Sequence, residues 1–134
     1  MHTGSCLCGS VQYQIRGELG TAVFCHCARC RKANGSAFAV NAAISEADFE
    51  VLQGQASLKS FSTAEGVHRL FCGDCGSPVV SKRDSMPGVL RLRIGTLDTP
   101  IGDSRPNAHI FVASKAEWDE IHDALPQFAE RPAG

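Results

Sequence analysis

The chain has 134 residues, of which 20% are charged and 43% hydrophobic, with a formal net charge of -1 and an isoelectric point near 6.5. That balance fits a single folded domain over residues 1–134 and excludes the basic excess of a protein that binds nucleic acid or an anionic membrane. The longest apolar run, residues 37–44, is broken by Asn41 and is too short to span a bilayer. Residues 1–5 have no basic start and no apolar stretch, so the expectation is a cytoplasmic protein whose thiols stay reduced.

Along the chain, short strands alternate with turn residues. Val11, Tyr13 and Ile15 alternate with Gln12, Gln14 and Arg16, the pattern of a half-buried strand, and Gly17 ends it. Strands are expected over residues 22–25 and 36–44, on either side of a central cysteine cluster. Others follow over 49–52, closed by Gly54, and over 57–61. Residues 67–71 run into the last cysteine pair, and 79–81 and 89–94 complete the set, with Pro87-Gly88 as the turn between them. Helix is scarce. The stretch after Cys30 suits one or two turns before Gly35. Ser114 and Glu117 have capping-box spacing for a helix reaching about Ala124, stopped by Pro126. The expected fold is mainly β with one or two short helices.

The chemistry lies in seven cysteines. An odd number sits badly with a closed disulfide framework. Cys6-Leu7-Cys8-Gly9 places two sulfurs on one side of an extended segment, with a glycine to turn the backbone behind them. Cys72-Gly73-Asp74-Cys75-Gly76 has the spacing of a zinc knuckle. Cys25-His26-Cys27-Ala28-Arg29-Cys30 gathers three sulfurs within a few residues. If Cys25 and Cys27 project to one side, His26 projects to the other, so orientation or packing is its reading ahead of metal ligation.

Structural zinc takes four protein ligands, and catalytic zinc keeps a position open. The cysteines divide naturally into the two separated pairs, Cys6/Cys8 with Cys72/Cys75, around one ion, and the local trio around a second. Spacing alone leaves other partitions open, such as both N-terminal motifs sharing one ion. A redox role for the last pair needs a helix start after it, and Gly76-Ser77-Pro78 leads into a strand instead.

The ordered motifs resemble the glutathione-dependent formaldehyde-activating enzyme family, which shares its domain with centromere protein V. The resemblance is carried by residues 4–13 (GSCLCGSVQY), 25–36 (CHCARCRKANGS) and 69–78 (RLFCGDCGSP). It continues in Arg105-Pro106-Asn107-Ala108-His109-Ile110-Phe111, Trp118 and Leu125-Pro126-Gln127-Phe128. It implies a zinc-bound β-tent of small antiparallel sheets. It also implies two zinc ions per chain: Cys6, Cys8, Cys72 and Cys75 hold a structural one, while Cys25, Cys27 and Cys30 hold a second with an open position. The implied activity is that of a carbon–sulfur lyase, joining glutathione or a similar thiol to a small aldehyde as in the formation of S-hydroxymethylglutathione. The alternative is a non-catalytic binding module stabilised by zinc. Methionine sulfoxide reduction is disfavoured, because every cysteine already belongs to a motif.

Around the open position, Arg29, Arg31 and Lys32 are the nearest cations in sequence and could offset thiolate charge or pair with a ligand's carboxylates. Arg31, Lys32 and His109 are the candidate substrate contacts, with His109 as an acid or base; a hydrogen-bonded packing role competes for the histidine. His68 reads as solvent-facing, and Phe38, Phe61 and Phe71 as core.

Overall fold

In β2 (Gln12–Ile15) the sequence alternation becomes burial: Tyr13 and Ile15 are fully buried while Gln12 is exposed. This strand lies between β1 (His2–Ser5) and β5 (Phe49–Gln53), antiparallel to both, in a three-stranded sheet. The computed structural model describes residues 1–132.

The second sheet takes β3 (Ala22–Cys25), β4 (Ala39–Ser45), β6 (Leu58–Ser62), β7 (Val67–Cys72), β8 (Pro78–Arg83), β9 (Val89–Arg93) and β10 (His109–Ile110). Their order is β10-β3-β4-β9-β8-β7-β6. The pairing of β10 with β3 is parallel and the others are antiparallel. The fold is therefore mainly β, but this sheet is wider than the small sheets expected.

The core lies between the sheets. Tyr13, Ile15 and Leu19 pack with Ala42, Ile44, Val80, Leu90 and Leu92. Each fully buried aliphatic or aromatic side chain contributes about 1.5–3 kcal/mol. In β9, Leu90 and Leu92 join this core, so Arg91 and Arg93, which alternate with them, belong to the opposite face. Helix α1 (Ala28–Asn34) starts earlier than expected, with Cys27 as its N-cap and Gly35 ending it in the left-handed region at φ 62.

The helix expected over 114–124 is absent. A short 3-10 turn, Val112–Ser114, follows Phe111, and the chain then runs irregularly. Tertiary hydrogen bonds override the local capping signal. The amides of His109, Phe111 and Val112 donate to the carbonyls of Pro126, Glu130 and Phe128, so both ends of the segment are held side by side. The Lys115 ammonium donates to the carbonyls of Ala116 and Asp119, which a helix would have used for its own amides. Among the described residues, no helix is long and apolar enough to cross a membrane.

Candidate metal centres and the cavity beside them

Cys6 and Cys8 follow β1, Cys72 ends β7 and Cys75 lies in the turn before β8. Their four sulfurs lie within 4.8 Å of one another. Cys8 Sγ is 3.6 Å from Cys6 Sγ and 3.8 Å from Cys72 Sγ. Matching turns produce this convergence. The Gly9 amide donates to the Cys6 carbonyl at 3.1 Å, and the Gly76 amide to the Cys72 carbonyl at 2.7 Å. Both glycines sit at φ 81, where a β-carbon brings strain. The Val11 amide donates to Cys6 Sγ at 3.3 Å, Ser10 Oγ lies 3.2 Å from Cys8 Sγ, and Ser77 Oγ lies 3.3 Å from Cys75 Sγ. The Ser77 hydroxyl and amide hold the Cys75 thiol down at about 5. Ser77 Oγ also accepts the Leu7 amide at 2.9 Å, which joins the two turns.

Cys25, Cys27 and Cys30 form the second group, again with sulfurs within 4.8 Å of one another. Cys25 ends β3, Cys27 caps α1, and Cys30 lies in the helix's first turn with its amide donating to Cys27 Sγ at 3.3 Å. Cys25 and Cys30 are buried and Cys27 is half-buried. Hydrogen bonds from Cys25 and Cys30 push the Cys27 thiol well below its usual range. Contacts with Cys27 and Cys30, with burial, push the Cys25 thiol well above that range. Three thiols this close compete for protons unless a cation replaces those protons.

Both groups suit a thiophilic metal. Sulfurs about 2.3 Å from one tetrahedral ion stand about 3.8 Å apart, and the measured separations in the first group are 3.6 and 3.8 Å. All seven cysteines are free thiols. Soft thiolates in sets of four and three are the donor chemistry of zinc.

Cys25 and Cys30 also line a cavity of about 70 Å³. Its wall carries Arg69 from β7, Arg83 from β8 and Arg91 and Arg93 from β9, with the exposed Arg131 joining them. Strand register brings these together: Arg69 is opposite Ser81, Ser81 opposite Arg91, and Arg93 opposite Asn41. Arg93 Nη1 donates to Ser81 Oγ at 3.2 Å and to the Arg91 carbonyl at 3.3 Å. Burial and the neighbouring Arg83 and Arg131 pull Arg91 down to about 10.

With this geometry in view, the comparisons with known proteins are informative. The model of the glutathione-dependent formaldehyde-activating enzyme family matches residues 1–114. The chain belongs to that family. A crystal structure of a Rhodobacter sphaeroides protein is similar, 25% identical with a TM-score of 0.63, over 73% of this chain and 89% of that one. The match to the formaldehyde-activating family spans all seven cysteines.

The other candidate residues read from the sequence lie away from that cavity. Arg29 is exposed and pairs with Glu65 at 3.4 Å. Lys32 is exposed, and Arg31 is half-buried in the last turn of α1 with its Nε unpartnered. The cavity beside Cys25 and Cys30 is lined by other residues. His109 lies opposite Phe24 in the β10–β3 pairing while Ile110 lies opposite Cys25, so strand alternation points the histidine away from the cysteines. It is buried, stacks on Phe24 at 4.8 Å, and bonds to His26 through Nδ1 at 2.8 Å and to Asp123 through Nε2 at 3.0 Å. The carboxylate of Asp123 accepts, so Nε2–H donates, Nδ1 accepts, and His26 donates from Nε2. His26 is fully buried, and burial first, then His109, lowers its pKa. This chain of contacts reaches Asp123, beyond the family match, and anchors the C-terminal segment to β3.

Proposed function

We propose that this chain is a carbon–sulfur lyase of the family's named type, joining a glutathione-like thiol to a small aldehyde beside Cys25, Cys27 and Cys30. Zinc would be held by Cys6, Cys8, Cys72 and Cys75 in one place and by Cys25, Cys27 and Cys30 in the other. A zinc ion at the second place supplies Lewis acidity that favours the thiolate form of a substrate thiol at neutral pH. The observation that carries the reading is the second group itself: three converging thiols, two of which line a cavity. Four thiols complete a tetrahedron and three leave a position for a ligand.

The reaction balances without an oxidant. A sulfur–carbon bond forms, the carbonyl π electrons move to oxygen, and the thiol proton ends on that oxygen. The chain's part is to bind and to neutralise. Guanidiniums of Arg69, Arg83, Arg91 and Arg93 beside the trio offset thiolate charge. His26 and His109 fix the backbone that carries Cys25 and Cys27 from the far side of β3. Seven free thiols persist in a reducing compartment such as the cytoplasm, where this reading places the protein.

Cobalt substitution tests it. Glutathione added to the cobalt protein is expected to change the absorption of one of two cobalt equivalents, and formaldehyde with glutathione to give the adduct faster than without protein. An unaltered cobalt spectrum at saturating glutathione overturns the proposal.

A further inference from the structure

The arginine wall is larger than the cysteine trio needs. Three thiolates around a dication leave one negative charge, and four guanidiniums from the sheet face them across the cavity. Among the described residues, no acidic side chain lines that cavity. Among the described residues, the arginine ion pairs are Arg16 with Glu50 and Arg29 with Glu65, both elsewhere. Arg93 is only 6% exposed, and its Nε has no hydrogen-bond partner. One terminal nitrogen of Arg69 is likewise shielded and unpartnered. Buried guanidinium N–H groups without acceptors are costly, and such groups in a cavity wall call for an anion.

The sheet shows why these cations are there. Leu70, Val80, Leu90 and Leu92 pack toward the core, so Arg69, Ser81, Arg91 and Arg93 share the other face. A second cavity of about 320 Å³ shares Arg69 and Arg93 with the first and is otherwise mostly apolar, with Ala33, Phe61, Phe71 and Pro78 in its lining. Among the described residues, its lining too has no acidic residue. A ligand here finds bidentate donors for an oxyanion and apolar surface for its body, but no counter-charge for an ammonium group.

We propose that the arginine-walled cavity is an oxyanion site that receives a carboxylate of the thiol substrate, so that the protein selects acidic thiols over neutral and cationic ones. The word "thiol" rests on the function proposed above; the oxyanion site rests on the arginines alone. Because the cavity adjoins Cys25 and Cys30, the carboxylate lies only a few bonds from the sulfur.

Calorimetric titration of the purified metal-loaded protein with 3-mercaptopropionate, 2-mercaptoethanol and cysteamine tests this. The acid is expected to bind at least tenfold more tightly than the alcohol, with the amine weakest, and added salt to erode the preference. Arg91→Gln is expected to narrow the gap between acid and alcohol at least threefold. Should that variant fail to fold, malonate serves on the unaltered protein: it is expected to raise the thermal midpoint and to compete with 3-mercaptopropionate. Equal affinity for the three thiols overturns the oxyanion site and leaves the thiol site standing. Malonate binding with no response to any thiol supports the oxyanion site and overturns the thiol function. The absence of both malonate binding and a preference for the acid overturns the inference outright.

Discussion

The four-sulfur group joins segments 64 residues apart in sequence, whereas the three-sulfur group lies within one strand end and the helix that follows it. Around the first stand the hydroxyls of Ser10 and Ser77 and the amide of Val11, all close to sulfur. Around the second stand a helix cap, a cavity and arginines from three strands. One set of thiols therefore closes a long loop and is braced by neutral hydrogen-bonding groups. The other is locally preorganised and faces a space charged for a ligand. On the function proposed above, the difference separates a centre that holds the chain together from one that exchanges a ligand.

Removing one sulfur from each group is the strongest way to break that contrast. Cys72→Ser should abolish the cooperative fold or lower its thermal midpoint severely, because binding energy at a structural zinc site amounts to about 10 kcal/mol or more of folding energy. Cys27→Ser should keep the fold while losing one of two metal equivalents, since Cys25, Cys27 and Cys30 are close in sequence and need no long loop closed. Elemental analysis and thermal melts of the two variants decide it. Equal loss of stability in both would erase the distinction.

The cysteine spacing could be read without coordinates because each motif is local, and a turn or strand end converts spacing directly into geometry. The strand around Tyr13 was legible for the same reason, since alternation is a property of neighbours. The arginine wall was not. Arg69, Arg83, Arg91 and Arg93 each look like the solvent side of a half-buried strand, and only register makes them one surface. The strand signal shows which face they occupy but not what covers it. The face that His109 occupies was hidden for another reason: two residues of parallel pairing fix it, and no sequence pattern announces so short a strand. The helix expected after Ser114 lost to long-range hydrogen bonds that a capping box cannot foresee.

A smaller effect sharpens the picture of the four-sulfur group. Ser77→Ala removes the acceptor for the Leu7 amide and the hydroxyl beside Cys75 Sγ. The lost hydrogen bond should cost about 1 kcal/mol, read from denaturant midpoints at constant slope. Without that hydroxyl the Cys75 thiol rises from about 5 toward its ordinary value. Protons then compete better for the sulfur, so the pH at which acid releases the first metal should move upward. An unchanged release profile would mean that the serine braces the turn without tuning the sulfur.

The smallest effect probes the far side of the three-sulfur group. The His109 hydrogen bond, helped by the Leu125 amide, holds the Asp123 carboxyl below its usual range. A carboxylate with a lowered folded-state pKa stabilises the fold above its unfolded value, near 3.9, and that contribution disappears as pH falls through the folded value. Asp123→Asn should therefore melt slightly below the parent at neutral pH, with the gap closing as both are acidified into that window. Asp123 is largely open to solvent, so screening keeps the gap small. The informative readout is the histidine pair. Nitrogen-15 spectra of the parent should show His109 protonated at Nε2 and accepting at Nδ1, and the asparagine variant should keep that tautomer only if its side-chain oxygen takes over as acceptor. A changed tautomer with unchanged metal content would show that the buried pair positions the C-terminal segment and does not control the cysteines across the strand.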